Sequence, residues 1–395
     1  MSLFESASLV VTPNGTKASK LYAIKPTDGS GDLTVTRATT ARRVNSAGLI
    51  ESVASNVPRL DYTNGTCPSI LVEPQRTNNF TYSEQFDNAY WAKTGATVTA
   101  NNTASPDGNN TADKVEFNSG FINGTAIVAD NQTYTISFFA KKGTANVFII
   151  QEAFYFGTNV VFDLNTGTIT SGTGKIENYG NGWYRCSMQI TYGVGQHVSS
   201  WVLRNYQTGY IYLWGAQIEL GSYSTSYIPT TTASVTRNAD VINKTSVSAL
   251  IGQTEGTLYS EIKVNKLIGA ASRYIFHISD GTANNRIYIA FSSAASNVLR
   301  ARIFSGGTLQ CSINSSTITA TGTYKLALAY KNNDIVFYIN GVQIGTDTSA
   351  TIPTCSRVDL GQNYANASQF NDGINNANIW KTRLTDAECI ALTTL

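Results

Sequence analysis

His197 and His277 are the only imidazoles in the chain, so a Ser-His-Asp system would have to be built on one of them. The two fall in separate predicted domains, and neither has a metal-ligand partner nearby in sequence. Sugar cleavage would instead need two carboxyl groups facing each other across a glycosidic bond. Glu152, Asp163 and Glu177 share one predicted sandwich, but no local spacing marks any two of them as a pair. The reading is therefore a protein that is not an enzyme, with a glycan depolymerase as the lesser alternative.

Two loops carry hard oxygen ligands close together. Asp107, Asn109 and Asp113 lie within seven residues, and Asp280 and Asn284 flank a second Asp-Gly turn. Calcium takes such ligands, but Asp and Asn at these spacings also close turns by bonding their own backbone. The turn is the favoured reading of both loops, with Ca²⁺ as a possible but not required cofactor. Aromatic side chains give a third kind of chemistry, because their faces suit the C–H side of a pyranose. In Tyr210-Ile-Tyr-Leu-Trp-Gly-Ala-Gln-Ile-Glu219, strict alternation places Tyr210, Tyr212, Trp214, Ala216 and Ile218 on one core face. The better glycan-binding candidates sit in predicted loops: Tyr155, Trp183, Tyr206, Tyr364 and Phe370.

Composition says which elements must hold these groups. Charged residues make up 14% of the 395, against about 25% in an average soluble domain, while aromatics reach 11%. Ser plus Thr number 85, Asn 36 and Gly 32, a mixture that suits pleated, half-buried surfaces joined by tight turns. A disordered chain and a helical bundle are both excluded. The net charge is +2 with no basic run longer than two residues, so the electrostatic footprint of a nucleic-acid binder is missing. No stretch is long and apolar enough for a membrane helix. The first residues, MSLFESASLVVTPNG, lack the basic start and apolar core of a signal peptide, which points to a protein that stays soluble where it is made or leaves by lysis. Five distant cysteines (Cys67, Cys186, Cys311, Cys355, Cys389) without a CxxC pair read as buried free thiols; a Cys311–Cys355 bond is the alternative.

Strand signals fill the chain after residue 80. Thr133–Ala140 alternates with Tyr134, Ile136 and Phe138 on one face, and Val147–Ile150, Asn159–Leu164, Trp183–Ile190 and Tyr210–Trp214 continue the series. A second set includes Gly256–Val264, Arg286–Phe291, Tyr324–Tyr330 and Ile335–Ile339, followed by the hairpin signal Asn340-Gly341. Thr385-Asp-Ala-Glu388 is a capping box that opens one helix. The predicted fold is all-β: an extended N-terminal arm over residues 1–80, a jelly roll over 81–237 and a second β-sandwich over 238–395. The arm holds five of the eight prolines and only scattered apolar residues. It is expected to borrow its core from a neighbouring domain or chain.

Several short motifs add a resemblance. Arg37-Ala-Thr39, Gly48-Leu-Ile50, Asn56-Val-Pro-Arg59, Tyr62, Leu71–Asn78, Trp91, Ser105-Pro-Asp-Gly108, Thr111-Ala-Asp113, Gly182-Trp-Tyr-Arg185, Trp214–Glu219 and Ser226–Thr230 follow in an order that resembles bacteriophage tail and appendage proteins carrying carbohydrate-binding-like jelly rolls. Tyr324–Tyr330, Ile335–Gly341 and Ile379–Glu388 resemble a laminin-G or concanavalin-A-like lectin domain. The resemblance implies a tail-fibre or head-fibre protein of the virion, assembled in the host cytoplasm, that binds a host-surface glycan or receptor. The arm would contact other virion proteins and assemble a homo-oligomer, a trimer by analogy with other phage fibres. The alternative is a capsid-decorating or connector protein in which both sandwiches only cement their neighbours.

Overall fold

The alternation so plain at Thr133–Lys142 and Arg286–Phe291 runs through nearly the whole chain in the computed structural model, which describes residues 2–154, 157–196 and 198–395. Among the described residues, helix is confined to Leu3–Ser6, a single 3-10 turn at Ser248–Leu250 and Asp386–Thr393. The chain divides into two compact units. The first gathers residues 1–40, 53–75 and 238–395, and the second residues 41–52 and 76–237.

In the first unit sixteen described strands form one hydrogen-bonded sheet that folds over a shared core. Its front half runs Thr308–Thr317, Val298–Ser305, Arg286–Phe291, Arg273–Ser279, Arg357–Leu360, Val241–Lys244 and Leu33–Thr36. Lys20–Lys25 and Leu9–Lys17 turn the corner into a back half of Asp372–Trp380, Glu255–Val264, Gly322–Lys331, Asp334–Ile339 and Val342–Asp347. Period-two alternation sends Ile287, Ile289 and Phe291 from the front, and Leu258, Leu328 and Phe337 from the back, into the same core. The outer face of the back half carries Tyr259, Ala327, Ala329, Tyr338 and Trp380 against Leu384, Cys389 and Leu392 of the C-terminal segment. The helix there starts at the expected capping box: the Thr385 hydroxyl accepts from the Glu388 N–H, and the Glu388 carboxylate accepts from the Thr385 N–H. Asn340 and Gly341 have φ of 49° and 79°, the left-handed pair that a two-residue hairpin turn demands.

No extended arm exists at residues 1–80. Leu9–Lys17 and Ser69–Val72 both pair with Asp372–Trp380, with Leu9 opposite Ile379 and Val72 opposite Asp372. Leu33–Thr36 pairs with Val241–Lys244. Leu9, Val11, Leu21, Leu33, Val35, Ile70 and Val72 are buried in the common core. The apolar residues look scattered in sequence because each short strand supplies only one or two of them to a core otherwise built from residues beyond 238. A buried ionic cluster ties the ends together: Arg37 pairs with Asp240 at 2.8 Å, Arg59 pairs with Glu73 at 2.7 Å, and Arg59 also reaches Asp240. The strands expected to attach the chain to the virion and to build a trimer are thus paired inside their own unit. Residues 41–52 contribute a hairpin to the second unit, where the Ile50 N–H donates to the Pro106 carbonyl.

The second unit is a ten-stranded sheet. Its longest strand, Ala112–Ile127, pairs with Gly209–Leu220 over Asp113–Phe117 and then with Val198–Arg204 over Phe121–Ile127, so one strand serves two halves of the fold. Phe80, Phe86, Trp91, Phe138 and Phe148 fill the centre of its core. One expectation fails at Gly215. Its φ of +64° and a register shift opposite Ser137–Phe139 mark a bulge, and the extra residue flips the alternation. Ala216 and Ile218 enter the main core, whereas Trp214 and Tyr212 fall in a separate aromatic cluster with Phe139, Trp183 and Tyr227. All five cysteines are free thiols, so Cys311 and Cys355 are not bonded, and Cys67 is exposed rather than buried.

Candidate functional site

The outer face of the front half-sheet is built from the positions that alternate with core residues. Along Arg286–Phe291 they are Arg286, Tyr288 and Ala290; along Val298–Ser305 they are Arg300, Arg302 and Phe304. Register sets these opposite one another as Arg286–Phe304, Tyr288–Arg302 and Ala290–Arg300, so cations and rings alternate across two strands. The next strand adds Tyr274 opposite Ala290 and His277 opposite Tyr288, and the strand after that adds Asp359 opposite His277. Tyr364, in the loop that follows, completes the row: its ring centroid lies 6.0 Å from that of His277 and 5.7 Å from the Arg286 guanidinium carbon.

Packing orients these side chains. The Arg286 guanidinium lies 4.2 Å from the centre of the Phe304 ring and 5.7 Å from that of Tyr288, a cation–π arrangement that holds its plane still. Tyr288 is buried between His277 and Phe304, its ring stacked with both. Arg300 is 6% exposed, and its one polar contact is a 3.5 Å bond to the Ser292 hydroxyl. The Nε atoms of Arg286 and Arg300 are both buried without a hydrogen-bond partner. The acid on this face, Asp359, is already engaged: Arg357 holds it at 2.6–2.9 Å, Gln362 donates to it at 3.3 Å, and His277 Nδ1 faces it at 3.4 Å. Burial pushes the His277 pKa down against the pull of Asp359, which favours the neutral ring near pH 7. Burial also raises the Tyr274 hydroxyl to about 12. Tyr274, Tyr288 and His277 thus form a buried floor, and Phe304 and Tyr364 are the partly exposed rings set beside the cations.

Of the aromatic residues singled out in the sequence, Tyr364 is the one among the described residues that belongs to this face. Trp183 is 1% exposed, and its indole N–H donates to the Ala104 carbonyl at 3.0 Å in the second unit. Phe370 is fully buried in the first core, stacked on Phe291. Tyr206 is 69% exposed in the second unit, with the Arg204 guanidinium 5.7 Å from its ring centre. Tyr155 and His197 lie outside the described residues. The signal that marks the face was available: Arg286-Ile-Tyr-Ile-Ala and Arg300-Ala-Arg-Ile-Phe alternate cleanly, and their non-core positions are all cationic, aromatic or small.

The acidic loops close on themselves. Asp107 accepts from the Ser105 hydroxyl and from the Asn109 backbone and side chain at 2.5–3.1 Å. Asp113 is buried and accepts from the Phe86 and Asn101 N–H groups, while burial raises its pKa to about 6. Asp280 accepts from Thr282 and Asn285, and the Asn284 N–H donates to Thr282. No group of three or more His, Cys, Asp or Glu that could hold a metal is present among the described residues. Glu152 accepts from the Ser200 N–H, Asp163 from Asn146 and Asn165, and Glu177 pairs with Lys175.

Residues 238–389 match the laminin G family model described as the Concanavalin A-like lectin/glucanases superfamily. No curated protein matches the chain. Among solved structures, the chain is similar to a Ruminococcus gnavus IT-sialidase CBM40 bound to α2,3-sialyllactose, at 18% identity over 38% of this chain and 91% of that one, with a TM-score of 0.33. It is also similar to domain 4 of AbnA, a GH43 extracellular arabinanase from Geobacillus stearothermophilus in complex with arabinotriose, at 15% identity over 44% and 82%, with a TM-score of 0.32. A third is a SAP-like pentraxin from Limulus polyphemus, at 16% identity over 34% and 68%, with a TM-score of 0.26. The stretch that matches this family model, residues 238–389, is completed in space by strands from residues 1–40 and 53–75.

Proposed function

We propose that this chain is a non-enzymatic bacteriophage virion appendage protein, of tail-fibre or head-fibre type, whose lectin-like unit binds a host-surface glycan through the outer face of its front sheet. The observation that carries the glycan reading is the row of partly exposed Arg286, Arg302, Phe304 and Tyr364, set around the buried Tyr288 on the face opposite the core. A sugar ring presents C–H groups to an aromatic face and hydroxyls to guanidinium N–H donors, and this row offers both. The C-terminal helix shields the outer face of the back half-sheet, and no described helix does the same for the front. The virion part is supported by the ordered appendage-type motifs between Arg37 and Thr230. Two experiments test the reading. A glycan array probed with the full chain and with Tyr364→Ala should show hits that weaken in the variant. Immunogold labelling of purified particles should place the chain at a distal position. Absence of any array hit would leave a purely structural connector, and absence from the particle would overturn the virion assignment.

A further inference from the structure

We infer that the sugar received on this face is acidic, and that its carboxylate is recognised at Arg286, with Arg300 adding positive charge further along the same row; the inference rests on the glycan reading above and names the class of ligand. It starts from an imbalance of charge. Arg286, Arg300, Arg302 and Arg357 project from the front sheet around a single carboxylate, Asp359, and Arg357 takes that carboxylate in a close, multiply bonded pair. Arg286, Arg300 and Arg302 make no ion pair with any described residue. Arg302 is satisfied by the Ser312 hydroxyl at 3.2 Å. The Arg286 side chain makes no hydrogen bond to a described residue, and that of Arg300 makes one, a long bond of 3.5 Å.

Burying a cation without an anion is unfavourable, and proteins elsewhere in this same chain avoid it: Arg37 and Arg59 are buried with Asp240 and Glu73 bound directly to them. Arg300 is buried too, at 6% exposed, yet no described carboxylate pairs with it. The rings explain how such a cation is tolerated. Stacking on Phe304 satisfies the face of the Arg286 guanidinium and leaves its in-plane N–H donors for a partner. A planar fork of donors matches a carboxylate bidentately, which is a demand no hydroxyl makes. A neutral sugar brings hydroxyl acceptors to these donors but no negative charge, whereas a uronic or other carboxylated sugar supplies both at the edge of the same aromatic row that receives its ring.

The test measures binding of the full chain to acidic oligosaccharides beside their carboxyl-reduced forms. The probes are a galacturonate hexamer, a hyaluronan hexasaccharide and an alginate hexamer, together with sialyllactose beside lactose. The expected result is a preference of about tenfold or more for at least one acidic form, weakening as salt rises. That preference should fall to within about twofold in Arg286→Gln, which is half-exposed and keeps its ring contacts, and again in Arg300→Gln if that variant retains the wild-type circular dichroism. Tyr364→Ala should weaken acidic and neutral forms alike. Equal binding of the acidic and reduced forms overturns the acidic-sugar inference and leaves the glycan reading standing. An undiminished preference in Arg286→Gln also overturns it. Failure of every probe, acidic and neutral, on this panel and on the array overturns both.

Discussion

Replacing Arg59 with Met tests whether the N-terminal strands are an integral part of the lectin-like unit. The Arg59 side chain is fully buried, and its guanidinium bonds Glu73 at 2.7 Å and Asp240 through two contacts. Met fills similar space but removes the charge shared by two carboxylates whose side chains are 3% and 2% exposed. Asp240 keeps Arg37 and the Glu73 N–H, but three charged groups then share one fewer cation. Breaking a buried pair from one side costs about 3–5 kcal/mol, a large part of the roughly 5–15 kcal/mol that holds a domain folded. With a urea slope of about 2–3 kcal/mol per molar, the midpoint of this unit should fall by about 1–2 M. Hydrogen exchange read by mass spectrometry separates the two units, so the loss should appear in residues 1–40, 53–75 and 238–395 and spare 76–237. Lys331→Ala is the control, because Lys331 and Glu255 form an exposed pair at 3.7 Å of the kind worth about 0–1 kcal/mol. If Arg59→Met shifts the midpoint no more than this control does, the cluster does not hold the N-terminal strands and the argument from burial is wrong.

Two further outcomes follow from titration and from the acidic loops. Asp372 is buried, and burial raises its pKa from 3.8 to about 6. The fold therefore binds this proton more tightly than the unfolded chain does. The contribution of this group to stability should be fully present below about pH 4, fall by about 3 kcal/mol at most as pH rises through about 6, and then level off; Asp372→Asn should remove that part of the slope in urea titrations at pH 4–7, and an unchanged slope would contradict it. Because Asp107 and Asp280 are saturated by their own turns, adding millimolar Ca²⁺ should leave the melting temperature within about 1 °C, and a rise of several degrees would show that one of these loops opens to take the ion.

Much of the fold was legible in local patterns. Alternation at Thr133–Lys142, Arg286–Phe291 and Gly322–Lys331, the Asn340-Gly341 turn and the Thr385–Glu388 capping box each act over a few residues, so the sequence alone determined an all-β chain with one C-terminal capped helix. What it did not determine depends on partners distant in sequence. The prolines and thin apolar content of residues 1–80 read as an arm because no local segment there can bury enough surface by itself. Only tertiary pairing with Asp372–Trp380 and Val241–Lys244 turns those short strands into core, since a core sums contributions without regard to chain position. The bulge at Gly215 likewise separates Tyr212 and Trp214 from the core face that Ala216 and Ile218 keep, by one extra residue that no period-two pattern can register. The candidate site shows the same division. Alternation already placed Arg286, Tyr288, Arg300, Arg302 and Phe304 off the core face, but their convergence with Tyr364, and the absence of a described acid beside Arg300, arise from strand register and loop closure. Register is a property of pairs of strands, so it belongs to the folded structure and not to any one stretch of the chain.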